Sequence, residues 1–91
     1  MKMHEYGDRD HDTGVTGYLF VKNGIILKFK SKEEFYLYNY RKPGSEHLAN
    51  MKKLAMAGSG LSTYVNQHVR ENYYKKSKNL SDLIHYSVAV E

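Results

Sequence analysis

The sequence has no cysteine, no tryptophan, one proline and no long apolar run among its 91 residues. Without cysteine the chain has no disulfide framework, no thiolate nucleophile and no cysteine ligands for zinc or iron–sulfur clusters, and nothing indicates an oxidising compartment. Its longest apolar runs have three or four residues, whereas a membrane-spanning helix needs about 20 and a signal peptide needs its own apolar stretch. These absences predict a cytoplasmic protein that is neither secreted nor embedded in a membrane.

What the sequence does contain is charge, distributed unevenly along the chain. The formal net charge of +4 combines −2 over residues 1–13, +8 over residues 22–78 and −2 over residues 79–91. Because a domain usually has about 100–150 residues, these segments belong to one small domain. A basic body between acidic ends favours a polyanionic partner, but a lysine-rich solubilising surface has the same composition.

Three β-rich runs come first, over residues 18–22, 25–30 and 35–40. Asn23-Gly24, between the first two runs, tolerates the positive φ angles of a two-residue type I′ turn and therefore predicts a hairpin. Such a turn pairs Val21 with Ile26 and Phe20 with Leu27. The residues expected on one face of the hairpin are Tyr18, Phe20, Ile25, Leu27 and Phe29.

The loop between the second and third runs decides where Tyr36 and Tyr38 point. An even number of loop residues places both tyrosines in the core beside Phe29. An odd number places them beside Lys28 and Lys30, on an exposed basic and aromatic platform. One sequence leaves both alternatives open, although aromatic stripes in small sheets are more often core.

Two amphipathic helices are predicted next, with Ser45 and Ser59 as candidate N-cap residues and Gly58-Ser59-Gly60 as the break between them. Apolar residues follow the helical period in both segments. In the first helix they are Leu48, Met51, Leu54 and Ala55, and in the second Leu61, Tyr64, Val65, His68, Val69 and Tyr73.

The two ends of the chain look different from this centre. Residues 1–13 are polar and without periodicity, which predicts a flexible acidic arm, and residues 75–79 read as a solvated end. Within the extension 79–91, alternation of apolar and polar residues over 84–90 predicts a strand, which either joins the meander or pairs with another subunit. The predicted fold is an α+β domain over residues 14–78: a three-stranded antiparallel meander with two helices packed on one face, and a further C-terminal strand.

Several motifs of the central segment occur in an order that is typical of one small family. They are Gly17-Tyr18, Leu27-Lys28-Phe29, Tyr36-Leu37-Tyr38 and Tyr64-Val65-Asn66-Gln67-His68-Val69-Arg70-Glu71-Asn72-Tyr73. Together they resemble the KTSC domain, which occurs at the C-terminus of some lysyl-tRNA synthetases and as a free-standing protein. The resemblance covers roughly two thirds of the chain and implies an α+β module associated with RNA, with no established activity. The charged loop before Tyr36 and a first helix longer by about a turn depart from the family pattern.

A basic surface is the best candidate site in the sequence, because lysine and arginine neutralise phosphates and aromatic rings stack on bases. The candidate nucleic-acid-binding residues are Arg41, Lys42, Lys52, Lys53, Arg70, Lys75 and Lys76, with Tyr36 and Tyr38 as stacking residues.

Other constellations are weaker. The glycine-rich start of the second helix, residues 58–63, offers backbone N–H groups to a phosphate, but it lacks the lysine of a P-loop. Residues 8–12 begin like a calcium loop and then lack the required glycine and glutamate. His47 and His68 are isolated in the sequence, and no serine has a candidate base nearby. We therefore predict no enzymatic activity, no metal and no cofactor.

Two functions follow from these observations. The leading hypothesis is a non-enzymatic module that binds RNA, or another nucleic acid, through its basic residues. The alternative is a protein–protein interaction or regulatory subunit, phage-like in its compactness, that forms oligomers through its C-terminal strand.

Overall fold

The computed structural model describes residues 3–7, 14–30 and 32–89. In this part of the chain the strands are β1 (His4–Glu5), β2 (Val15–Val21), β3 (Gly24–Phe29), β4 (Phe35–Asn39) and β5 (Lys75–Ser77). The helices are α1 (Ser45–Ala57), α2 (Leu61–Tyr64) and α3 (Leu80–Ala89), and a π-helical turn (Val65–Val69) directly follows α2.

The strands form one antiparallel sheet whose order, β1-β2-β3-β4-β5, is the order of the chain. The predicted α+β class and the predicted meander of β2, β3 and β4 are confirmed. The solvated end predicted at residues 75–79 is wrong over Lys75–Ser77, because this segment pairs with the first part of β4. Its lysines are nevertheless exposed, since β5 is an edge strand.

The sheet separates two apolar cores. Side chains of a strand alternate between its faces, so Ile25 and Leu27 point into one core and Ile26 points into the other. The larger core lies under α1, α2 and the π-helical turn, which confirms that helices pack on one face of the meander. The smaller core lies under α3, and its buried residues are Leu19, Ile26, Leu37 and Leu83.

The β2–β3 hairpin has a different loop from the predicted one. Val21 pairs directly with Gly24 rather than Ile26, so Lys22 and Asn23 form the loop. Of these two loop residues only Asn23 has a positive φ, 61°, which is incompatible with a type I′ turn. The pairing is displaced by two residues, and an even displacement leaves every side chain on its predicted face. The residues expected to share a face do pack in the larger core: Tyr18, Phe20, Ile25, Leu27 and Phe29.

A glycine is needed at position 24 for the close approach of β3 and β4, not for the turn. A Cβ atom at this position would lie 2.8 Å from the carbonyl oxygen of Tyr38 on β4. Any side chain there would therefore push β3 and β4 apart, which explains why a glycine stands at the first position of β3.

The β3–β4 pairing buries the tyrosines. Leu27 is opposite Tyr36 and Ile25 is opposite Tyr38, and the two tyrosines are 7% and 1% exposed. The even-numbered loop is thus confirmed, and the alternative of an exposed platform beside Lys28 and Lys30 is wrong. Tyr36 and Tyr38 cannot offer open faces to nucleic-acid bases.

Glycines rather than serines begin the helices of the larger core. The N-cap residues of α1 and α2 are Gly44 and Gly60, which have no side chain to cap their helices, so Ser45 and Ser59 do not have their predicted roles. Gly58 ends α1 in the left-handed conformation, with φ 69°. The predicted apolar face of α1 is confirmed by the buried Leu48, Met51 and Ala55.

The N-terminal arm predicted over residues 1–13 is wrong for residues 3–7. β1 pairs with β2, and Tyr6 is 4% exposed. The backbone N–H of Leu61 donates a hydrogen bond of 3.0 Å to the Tyr6 hydroxyl, which thereby caps the start of α2 in place of a serine. A second bond, 2.9 Å from the Val15 N–H to the Ser62 hydroxyl, fixes α2 against β2.

The C-terminal extension contains a helix, so the strand predicted over residues 84–90 is wrong for residues 84–89, and residue 90 lies outside the described residues. The Asn79 side chain accepts a hydrogen bond of 3.0 Å from the Ser81 N–H, as an N-cap residue does. Leu80, Leu83 and Ile84 then follow helical spacing toward the smaller core. The hypothesis of an oligomer that forms through a C-terminal strand is therefore not supported. None of the described helices combines the length and the apolar character needed to cross a membrane.

Candidate nucleic-acid interface

The residue that follows the π-helical turn is an arginine in a strained conformation. Arg70 has φ 30° and ψ −108°, which lies outside the regions that residues with a side chain prefer and costs about 1–3 kcal/mol. Leu61, Val65 and Val69 are buried at four-residue intervals, wider than the α-helical period, and a π-helical turn accommodates that spacing. Isolated π-helical turns and strained residues are frequent at functional sites, so residues 65–70 are a candidate functional segment.

Arg70 opens onto a cleft of about 510 Å³ at one end of the sheet. The cleft lies where β2 and β4 begin and where β3 ends, below α2 and the π-helical turn. Its aromatic and apolar lining residues are Phe29, Tyr36, Tyr38, Val65 and Tyr73, and its polar ones are Lys32, Ser62, Asn66, Arg70, Glu71 and Lys76, with Gly14 at the margin.

Interlocking aromatic rings form the floor of the cleft. The Tyr36 ring meets Phe29 and Tyr73 edge to face, with ring centres 5.3 and 4.9 Å apart. Tyr38 lies 6.3 Å from Tyr73 in the same geometry, and its hydroxyl donates a hydrogen bond of 3.2 Å to the Arg70 carbonyl. Phe29 and Tyr73 are half-buried, so theirs are the rings that a ligand can reach.

Three polar side chains at the rim of the cleft make no hydrogen bond or ion pair with the other residues that the structure describes. The side chains of Asn66, Arg70 and Glu71 are exposed and line the cleft without a hydrogen bond or ion pair to another described residue. Lys76 differs, because its ammonium group lies 3.4 Å from the carboxylate of Glu34. The rim thus presents donors and charge that the fold itself does not use.

The environment of the cleft changes the acidity of several groups. Burial, assisted by the charge of Glu34, raises the pKa of Tyr36. Burial also raises the pKa of Tyr38, with smaller contributions from Tyr36 and Tyr73. The neighbouring Glu34 raises the pKa of Lys76, so this lysine keeps its positive charge throughout the physiological range.

The structure brings together four of the nine predicted site residues. Arg70 and Lys76 line the cleft as cations, and Tyr36 and Tyr38 line its floor. The predicted stacking role of the two tyrosines is wrong, since both are buried; they support the half-buried Tyr73 instead.

The other five predicted residues lie elsewhere. Arg41 and Lys42 follow β4 in a turn closed by the Asn39 side chain, which accepts both of their backbone N–H groups at 3.0 Å. Neither Arg41 nor Lys42 lines the cleft.

The two lysines of α1, and Lys75 of β5, are also separate from the cleft. The Lys52 ammonium group lies 5.6 Å from the ring centre of Phe20 on β2, and its neighbour Lys53 is exposed on α1. Three strand spacings, roughly 14 Å, separate β2 from β5. Lys75 pairs with Leu37, whose side chain faces α3, so Lys75 points to the opposite side of the sheet from Lys76.

Sequence reasoning missed Lys32, Asn66, Glu71 and Tyr73 as members of one site. A signal existed in the motif from Tyr64 to Tyr73, which contains three of them. The sequence pattern predicts a regular α-helix there, however, and the π-helical turn changes which of its side chains share a face.

The other candidate sites of the sequence are not supported. At the glycine-rich start of α2, the Leu61 N–H is already bonded to Tyr6, and the short helix offers little dipole to a phosphate. The calcium-like residues 8–12 lie outside the described residues. Residues 3–7, 14–30 and 32–89 contain no group of three histidine, cysteine or acidic side chains able to hold a metal.

No protein-family model, curated protein or solved structure matches the chain. The resemblance to the KTSC domain therefore remains a prediction from the quoted motifs.

Proposed function

We propose that the protein is a non-enzymatic binding module for single-stranded RNA, and that the cleft beside the π-helical turn receives one nucleotide of the strand. The supporting observation is the convergence of Lys32, Arg70 and Lys76 with a half-buried tyrosine around one concave site. Single-strand recognition needs this combination, because cations neutralise phosphates while an aromatic ring stacks on a base.

The buried residues of the cleft support its more exposed residues, which contact the RNA. Tyr36 and Tyr38 hold Tyr73 and Arg70 in place, since the first packs edge-on against Tyr73 and the second binds the Arg70 carbonyl. Tyr73 then offers the stacking surface and Arg70 the first phosphate contact. Lys76 supplies further positive charge, although Glu34 neutralises part of it.

The family resemblance supports the same proposal. Motif residues from two separate stretches of the sequence line the cleft: Tyr36 and Tyr38 from the first, and Asn66, Arg70 and Tyr73 from the second. A site that gathers the motif positions of an RNA-associated family is a reasonable place for RNA to bind, but analogy of this kind is weaker than the chemistry of the lining.

The test is a fluorescence-anisotropy titration of the full chain with a labelled, unstructured ten-nucleotide RNA at 50 and 200 mM salt. Three phosphate contacts on a single strand predict a salt slope of about −2, so affinity should fall roughly fifteen- to twentyfold over this range. Absence of binding at 50 mM salt would refute the proposal.

Variants that each remove one positive charge locate the binding site. We expect Arg70→Gln and Lys32→Gln to weaken binding and to reduce the salt slope by about 0.7 each. Lys53→Gln, on the exposed side of α1, removes the same charge and should leave the affinity unchanged. Equal weakening by Lys53→Gln and Arg70→Gln would show that any positive charge serves, and that the cleft is not the site.

A further inference from the structure

Two histidines that are distant in the sequence meet on the outer surface of the helical layer. His47, in the first turn of α1, and His68, in the π-helical turn, have ring centres 6.2 Å apart with their planes tilted by 33°. Tyr64 lies against both: its ring centre is 4.5 Å from that of His68 and 5.9 Å from that of His47. The nucleic-acid site described above does not include this group.

One nitrogen of His47 is already oriented by a neighbour. The Nδ1 atom of His47 lies 2.7 Å from the Tyr64 hydroxyl oxygen, and the Asn50 amide donates a hydrogen bond of 3.1 Å to the same oxygen. A partner on Nδ1 fixes the ring orientation and leaves Nε2 for another ligand. Metal-binding histidines commonly have this arrangement, in which a second group holds the nitrogen that does not bind the metal.

The separation of the rings suits a shared ion. A zinc–nitrogen bond of about 2.0–2.1 Å places the ion roughly 3 Å from the centre of each imidazole, so two rings on one ion have centres about 5–6 Å apart. The observed 6.2 Å is close to that range, and His68 is exposed and can turn toward His47.

We propose that His47 and His68 bind one divalent transition-metal ion of the kind that prefers imidazole, with zinc as the reference ion, and that Tyr64 positions His47 for it. Because the described residues contain no cluster of three such ligands, water or an external ligand completes the coordination. The bound ion joins α1 to the π-helical turn and so stabilises the contact between them.

Isothermal titration of the untagged full chain with Zn²⁺ at pH 7.4, with Mg²⁺ in parallel, tests this site. We expect one Zn²⁺ per chain and no heat from Mg²⁺, which prefers oxygen ligands. His47→Gln and His68→Gln should each weaken Zn²⁺ binding at least about tenfold, and Tyr64→Phe should weaken it by about tenfold through loss of orientation.

Histidines outside the cluster provide the control. His85→Gln, on the exposed side of α3, and His4→Gln, on the exposed β1, should bind Zn²⁺ like the unmodified chain. Circular dichroism of each variant verifies that it folds. Zn²⁺ binding that survives His47→Gln and His68→Gln, or that is lost in a control variant, would overturn the proposal, as would the absence of any Zn²⁺ binding.

Discussion

The hydroxyl group of Tyr38 on β4 donates a hydrogen bond of 3.2 Å to the backbone carbonyl of Arg70, 32 residues later in the chain. This bond connects the central part of the sheet to the residue that directly follows the π-helical turn and has a strained backbone. The position of the Arg70 side chain at the rim of the cleft therefore depends on a buried tyrosine that a ligand need not touch.

Removal of the Tyr38 hydroxyl should weaken the fold modestly. We expect Tyr38→Phe to lower the free energy of unfolding by about 1 kcal/mol, because the Arg70 carbonyl loses its donor while the ring still packs. Urea denaturation measures the change. Tyr40→Phe is the matched control, since Tyr40 is 41% exposed and its loss should cost less than about 0.5 kcal/mol; an equal cost at both positions would contradict the assigned role of the bond.

The backbone strain at Arg70 predicts an unusual preference for glycine. Arg70→Gly and Arg70→Ala both remove the side chain, but only glycine adopts the observed φ of 30° readily. We expect the glycine variant to be more stable than the alanine variant by about 1 kcal/mol in urea denaturation. Since alanine normally equals or exceeds glycine in stability, the reverse order would show that Arg70 is not strained.

Raised tyrosine pKa values make stability fall in alkaline solution. In the unfolded chain Tyr36 and Tyr38 ionise near pH 10, whereas in the folded protein their pKa values are higher and they keep their protons. Above pH 10 the folded state therefore binds more protons than the unfolded chain. The stabilisation from these two tyrosines is fully present below pH 10 and is lost progressively as the pH rises above it. Urea denaturation at intervals from pH 8 to about 11 measures this decline.

The variant that removes both phenols checks the assignment. In Tyr36→Phe with Tyr38→Phe, the loss of stability above pH 10 should become shallower than in the unmodified chain. An unchanged slope in that double variant would assign the alkaline loss to other groups.

The close approach of two strands at Gly24 predicts low tolerance of substitution. Gly24→Ala places a Cβ 2.8 Å from the Tyr38 carbonyl oxygen, and we expect a loss of about 1–3 kcal/mol. Gly7→Ala is the control, because its Cβ would meet only ordinary contacts, the nearest at 3.5 Å from Gly58. Thermal unfolding of the two variants compares them, and a Gly24→Ala protein as stable as Gly7→Ala would contradict the observed register.

Capping of α2 by an N-terminal tyrosine predicts that residues 3–7 stabilise the whole domain. Tyr6→Phe leaves the buried Leu61 N–H without its acceptor, which should cost about 1–3 kcal/mol. Tyr18→Phe is a suitable comparison, because Tyr18 is half-buried and its ring packs beside Phe20 and His4. If Tyr6→Phe unfolds at the same urea concentration as the unmodified protein, the segment is dispensable.

The strand and helix content of the centre was predictable because its patterns are local. Alternation placed the strand faces correctly even where the register was wrong, since Val21 is displaced from its predicted partner by an even number of residues. The prediction of a turn centred on Asn23-Gly24 is wrong because Gly24 lies in β3, in close contact with the Tyr38 carbonyl on β4. No local sequence pattern contains that contact.

The site was less predictable than the fold. Charge along the chain indicated a basic surface, yet Arg70 and Lys76 lie at the cleft while Lys52 and Lys75 do not. Which cations converge depends on strand order and on a π-helical turn, and neither is encoded by composition or by a 3.6-residue period. At the C-terminus the alternating apolar residues were also compatible with the helix that forms there.

The sequential order of the strands has a consequence for folding kinetics. Each strand pairs with the one before it, so the central sheet can assemble by successive closure of short loops, which favours rapid folding. The bonds from Leu61 to Tyr6 and from Val15 to Ser62 span 55 and 47 residues instead. Their closure carries the larger entropic cost, and we expect the first residues of the chain to join the native structure after the rate-limiting step.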